Sequence, residues 1–169
     1  MAETIKPRLI LIGGEAWTGK TTSARILFQS LDNCAWLDGD DVWRVNPWSL
    51  DDPRLRTSDV NMAFVLQTYL RSGFDFVILS SIVLSDPEIK DRILGMITGV
   101  DYETIWFTLG CDENTLRARA LRRDAAAAPQ FFLLAQTRTL VNTIHIDTTG
   151  REPAAVAAQL RAAVHTVAG

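Results

Sequence analysis

The chain has little of several things. It holds two cysteines and two histidines in 169 residues. Cys34 and Cys111 lie far apart, without Cys-x-x-Cys spacing and without a flanking histidine. That pattern excludes a disulfide framework or a zinc ribbon and predicts two inert thiols in a reducing compartment. No apolar run approaches the ~20 residues of a membrane span. The opening residues, Met1 to Arg8, lack the apolar core and small-residue cleavage site of a secretion signal. A cytoplasmic location without a membrane partner is expected. There is no basic excess either: the net charge is −3 and the pI about 5.3, which disfavours a nucleic-acid surface. No internal repeat is visible, and the one biased stretch is Ala125-Ala126-Ala127-Ala128.

What is present is an ordinary globular composition, 47% hydrophobic and 22% charged. The length suits one domain over 1–169, able to bury roughly 70% of its unfolded surface without a staple. Short apolar runs alternate with helical spacings. Arg8–Ile12, Ala35–Leu37, Phe76–Leu79, Thr104–Phe107 and Thr143–Ile146 read as five strands. Between them, Ala24/Leu27/Phe28/Leu31, Met62/Val65/Leu66/Tyr69 and Ile89/Ile93/Met96/Ile97 repeat at helical intervals. Asp86-Pro87 reads as a helix start, and Asp112 as the cap of an arginine-rich helix running to Arg123. Pro153 opens a last helix with Val156, Leu160, Val164 and Val167 on one face. Continuously apolar strands alternating with helices imply an α/β fold with a parallel sheet covered on both faces. His145 reads as a core or edge residue and His165 as solvent-facing.

Gly14-Glu15-Ala16-Trp17-Thr18-Gly19-Lys20-Thr21 fits G-x-x-x-x-G-K-[ST] between a predicted strand and a predicted helix. Gly14 and Gly19 permit backbone angles and close approaches that a Cβ would block. The loop amides then form an anion nest backed by the helix N-terminus. Lys20 is placed to reach β- and γ-phosphates, and the Thr21 hydroxyl is a hard ligand for Mg²⁺. Trp17, inside the loop, either shields the phosphates, packs beside the acceptor, or simply packs.

Asp38 and Asp40 stand two apart at the C-terminal edge of the second strand, where ligands of open α/β sheets bind. One can hold a metal-bound water and the other can accept or orient the proton of an attacking hydroxyl. A plain Asp-Gly turn is the competing reading. Strand three ends Leu79-Ser80-Ser81, without the carboxylate of a Walker B strand.

These features together resemble the small P-loop kinases: nucleoside-monophosphate kinases and the shikimate, gluconate, adenylylsulfate and chloramphenicol kinases. The resemblance runs along nearly the whole chain. It rests on Gly14–Thr21, on Leu37-Asp38-Gly39-Asp40-Asp41, on Cys111 to Arg119 followed by Arg122-Arg123, and on Ile146-Asp147-Thr148-Thr149-Gly150 before Pro153. It implies a three-layer P-loop NTPase sandwich with a parallel sheet in the order 2-3-1-4-5, an acceptor-binding helical segment at about 41–72 and a short lid at about 122–130. It implies ATP and Mg²⁺ as cofactors, a small-molecule acceptor as partner, and a monomer or homodimer. Gly14, Trp17, Thr18, Gly19, Lys20, Thr21, Thr22, Arg119 and Thr149 would hold the nucleotide. Thr21 and Asp38 would serve the metal, and Asp40 the acceptor or base role, the division between the two acids staying open. Lys20 would face the transferring phosphoryl, with Arg123 or its neighbour Arg122 as the lid arginine. Asp40, Arg44, Ser80 and Arg138 would meet the acceptor. The expected activity is ATP-dependent phosphorylation of a hydroxyl on a metabolite or antibiotic, or of a nucleoside monophosphate. The alternative is a nucleotide-binding regulatory ATPase without a small acceptor, disfavoured by the missing strand-three acid and the arginine-rich segment.

Overall fold

The computed structural model describes residues 6–49, 51–123 and 134–166. The elements run β1 (Arg8–Gly14), α1 (Lys20–Ser30), β2 (Cys34–Asp38), α2 (Thr57–Arg71), β3 (Phe76–Ser80), α3 (Pro87–Gly95), β4 (Glu103–Gly110), α4 (Glu113–Arg123), α5 (Leu134–Arg138), β5 (Ile144–Asp147) and α6 (Pro153–Thr166). Two 3-10 turns, Gly39–Val42 and Ile82–Ser85, follow β2 and β3. The five strands are parallel in the order β2-β3-β1-β4-β5, as the resemblance to the small P-loop kinases implies.

β1 is the middle of the sheet, and its side chains alternate between two cores. Ile10 and Ile12 face α1 and α6 with Leu27, Phe107 and Leu160. Leu9 and Leu11 face α2 and α3 with Met62, Leu66 and Ile93. All four residues are fully buried, which is why this strand reads as an unbroken apolar run. The predicted caps form: Asp86 accepts from the amides of Glu88 and Ile89 at the start of α3, and Asp112 Oδ1 accepts from the Thr115 amide at the start of α4. α2 and α3 are joined by a buried charge. Asp59 Oδ2 accepts from Arg56 and from Arg92, each at 3.3 Å.

Some expectations shift. β5 starts at Ile144, one residue later than predicted, and the Thr143 hydroxyl before it donates to the Trp106 carbonyl at 3.1 Å. His145 is exposed at this edge, its Nε2 2.8 Å from the Leu140 carbonyl. Met96 and Ile97 lie just past the end of α3, with Ile97 still buried in its core. The segment 41–72 is helical only at its ends, since Pro47 and Pro53 push their predecessors out of helical geometry. Asp41 therefore caps no helix; it lies within the 3-10 turn and pairs with Arg44. Both cysteines are free; Cys111 is buried, and burial pushes the half-buried Cys34 thiol up to about 12, consistent with inert thiols. Of the expected lid, residues 124 onward lie outside the described residues, as does Val167.

Phe107 is fully buried at the centre of the α1/α6 core. Phe107→Ala is expected to cost about 3–5 kcal/mol, read as a lower denaturant midpoint. A loss below about 1 kcal/mol would show that the core collapses around the gap.

Candidate functional site

Parallel order brings the C-terminal ends of β1, β2 and β3 to one edge. A cleft of 830 Å³ opens there. Its lining includes Ala16 to Ser23 of the glycine-rich loop and α1, Asp38 and Asp40 after β2, Ser80 to Ile82 after β3, Arg119, Arg122 and Arg123 of α4, and Thr148 and Gly150 to Pro153 after β5.

The loop takes its shape from three left-handed residues, Gly14 at φ 133°, Trp17 at 61° and Gly19 at 93°. A Cβ on Gly14 would run into the Leu109 carbonyl of β4, so the residue is required for spacing as well as for its angle. The Gly14 amide donates to Ser85 Oγ at 2.9 Å, tying the loop to the turn after β3. Inside the loop the Glu15 carbonyl collects donors: Thr18 Oγ1 at 2.8 Å and Lys20 Nζ at 2.6 Å. Burial pulls the Lys20 ammonium down to about 8, against the opposing pull of Asp40, Asp38 and Glu15. The Glu15 side chain is buried; its Oε1 accepts from Thr137 Oγ1 at 3.4 Å, and its Oε2 has no hydrogen-bond partner among the described residues. Burial raises this carboxyl above its ordinary range.

Across the cleft, Asp38 and Asp40 are distinguished by their contacts. Asp38 Oδ1 accepts from the Asp40 amide at 3.1 Å and Oδ2 from Ser80 Oγ at 3.2 Å. The Asp40 side chain is exposed and accepts no hydrogen bond among the described residues. Arg119 spans the back of the loop: Nη2 donates to the Thr148 carbonyl at 2.8 Å, and Nη1 reaches Thr148 Oγ1 at 3.1 Å and the Trp17 and Thr18 carbonyls at 3.4 Å. The guanidinium thus links α4, the loop and the β5–α6 turn. Arg122 and Arg123 are exposed at the end of α4.

Three anticipated residues are placed elsewhere. Thr149 is absent from the described lining; its hydroxyl accepts from the Asp112 amide at 3.0 Å. Arg44 is exposed and paired with Asp41, and Arg138 on α5 sits near enough to Glu15 to lower its pKa; neither lines the cleft. Thr22 does. No sequence pattern points to Ser85 as the anchor of Gly14, to Thr148 as the partner of Arg119, or to Trp36, whose indole N–H donates to Ser80 Oγ at 3.0 Å. These are non-local contacts that no local sequence pattern encodes.

The oxygen set of Thr21, Asp38 and Asp40 suits a hard cation. Among the described residues no cluster of three or more His, Cys, Asp or Glu forms a cage of its own. Mg²⁺ takes such sites, with one or two carboxylates and the remaining positions filled by water and phosphate oxygens.

Lys20 carries its charge below about pH 8 and loses it above. Phosphate binding favours the charged form, so nucleotide affinity should weaken as pH rises through this value, by up to about tenfold per pH unit. Calorimetric titration with a non-hydrolysable ATP analogue between pH 7 and 9 checks this; a flat profile would refute the Lys20 assignment.

The chain matches no family profile and no curated protein sequence. Solved structures do match. The tunicamycin resistance protein of Deinococcus radiodurans superposes with a TM-score of 0.71 at 25% identity, covering 94% of this chain and 95% of that one. A gluconokinase from Sinorhizobium meliloti 1021 gives 0.69 at 18% identity over 96% and 94%. The Mycobacterium tuberculosis APS kinase, solved with AMPPNP and APS, gives 0.71 at 11% identity over 97% and 99%. Among the described residues no helix is long and apolar enough to cross a membrane. Sheet order and whole-chain superposition together show that this chain has the fold of the small P-loop kinases.

Proposed function

We propose that the protein is an ATP-dependent kinase that passes the γ-phosphoryl of Mg·ATP to a hydroxyl of a small metabolite or antibiotic, or to a nucleoside monophosphate. The observation that carries this reading is the convergence on one cleft of the glycine-rich loop, the two acids after β2 and the arginines of α4. Phosphoryl transfer asks for little covalent chemistry from a protein. It asks for positioning, charge neutralisation and a place for one proton.

The loop amides and Lys20 take the phosphates; Lys20 exchanges the Glu15 carbonyl for a phosphate oxygen. Thr21 and Asp38 would hold Mg²⁺, which when bound neutralises charge on the β- and γ-oxygens. Arg119 supports the nucleotide side of the cleft. The acceptor oxygen attacks the γ-phosphorus, the bond to the bridging oxygen breaks, ADP leaves, and the acceptor proton passes to the unencumbered Asp40 carboxylate. Arg122 or Arg123 meets the charge spread over the transferring group. A hydroxyl acceptor is favoured by the free carboxylate at Asp40, because a hydroxyl must lose a proton. The presence of a gluconokinase among the structural neighbours supports a small hydroxyl-bearing acceptor.

An ADP-release screen with Mg·ATP tests this. The panel is nucleoside monophosphates, shikimate, gluconate, sugars, aminoglycosides, macrolides and phenicols, with Lys20→Ala as blank. An acceptor-dependent signal absent from the blank is expected; acceptor-independent release would favour a regulatory ATPase.

With the acceptor found, Asp40→Asn should lower kcat about 100-fold or more while nucleotide affinity is kept. Unchanged kcat would return Asp40 to a turn residue.

A further inference from the structure

The end of β3 is where this chain lacks an acid, and a part-buried hydrogen-bond chain stands there instead. Register sets Ser80 directly opposite Asp38. Trp36 lies two residues before Asp38, on the same face of β2. Ser80 is 1% exposed, so its hydroxyl is spent inside the protein. A hydroxyl has one proton and two lone pairs, whereas an indole N–H can only donate. The Trp36 Nε1 contact at 3.0 Å therefore occupies a Ser80 lone pair, and the Ser80 proton is left for Asp38 Oδ2 at 3.2 Å. Trp36 is itself packed against Phe28 of α1, ring centroids 6.1 Å apart. The other carboxylate oxygen is held by the Asp40 amide. Both oxygens of Asp38 are thus fixed from the protein side, while the Asp40 carboxylate accepts no hydrogen bond among the described residues.

We propose that Ser80 and Trp36 are positioning residues that orient the Asp38 carboxylate toward the metal side of the cleft, and that Ser80 is not an acceptor contact. This rests on the reading of Asp38 under the proposed function. The strand-three acid of the Walker B pattern is replaced by a donor that aims the strand-two acid. Donors that hold a ligating carboxylate affect metal affinity nearly as strongly as the ligand itself, typically about 10–100-fold.

The test uses Mn²⁺ in place of Mg²⁺, with its binding to the complex of protein and non-hydrolysable ATP analogue followed by electron paramagnetic resonance. Ser80→Ala is expected to weaken Mn²⁺ binding at least about tenfold while metal-free nucleotide affinity stays unchanged. Trp36→Phe keeps the ring packing and should weaken it in the same direction, with little further loss in the double variant. In the ligand-free protein, the Trp36 indole proton resonance, assigned by its absence in Trp36→Phe, should move upfield in Ser80→Ala. Wild-type Mn²⁺ affinity in both single variants, even alongside a lower melting temperature, would overturn the inference and leave the kinase reading standing. A wild-type protein whose nucleotide binding ignores Mn²⁺ would overturn both.

Discussion

Gly14 ends β1 with a φ of 133° in a space where a Cβ would meet the Leu109 carbonyl of β4, and the geometry of the site descends from that close approach. β1 has hydrogen-bonded neighbours on both sides and apolar layers above and below, so its end cannot drift. The chain leaves the sheet at a fixed point and angle. Ser85 holds the Gly14 amide from the β3 side. The glycine-rich loop that follows thus starts from a strand held on both sides, and donors preorganised in this way cost no reorganisation when charge arrives.

The same desolvation acts on two charges of the loop in opposite senses. It pulls Lys20 down to about 8 and raises Glu15; burial disfavours the charged form of each. Without a polyanion, the Lys20 ammonium leans on the Glu15 carbonyl at 2.6 Å. A phosphate oxygen is a stronger acceptor in the same reach, and its charge restores what burial withheld. Lys20 is therefore more responsive to its ligand than an exposed lysine would be.

Much of this was legible in the sequence, for identifiable reasons. Unbroken apolar runs such as Leu9–Ile12 signal strands covered on both faces, and the glycine-rich spacing fixes where the first strand must end. Asp86-Pro87 and Asp112 announced their helices through local hydrogen bonding alone. What stayed hidden was non-local. The Trp36–Ser80–Asp38 chain joins two strands whose register no local pattern encodes. Arg119 reads as one cation among several in an arginine-rich helix, yet it is singled out by facing Thr148, 29 residues away. The segment between the first 3-10 turn and α2 holds Trp43, Arg44, Trp48, Arg54 and Arg56, residue types that suit both packing and binding. Trp48 is exposed and Arg44 is paired with Asp41.

Charge adds a last distinction. The whole chain carries −3, yet the cleft gathers Lys20, Arg119, Arg122, Arg123 and Arg151 around Asp38, Asp40 and Glu152. The sign at the site is opposite to the sign of the molecule. An acidic exterior repels an extended polyanion, whose binding needs basic surface along its length. A concave basic site focuses potential inward and draws a compact anion. A nucleotide is compact enough to respond to the cleft and escape most of the exterior. The acids within the cleft then act where the cations have already offset their mutual repulsion. Asp38 is held by the sheet while Asp40 is free, and that asymmetry lets two like charges two residues apart carry different tasks.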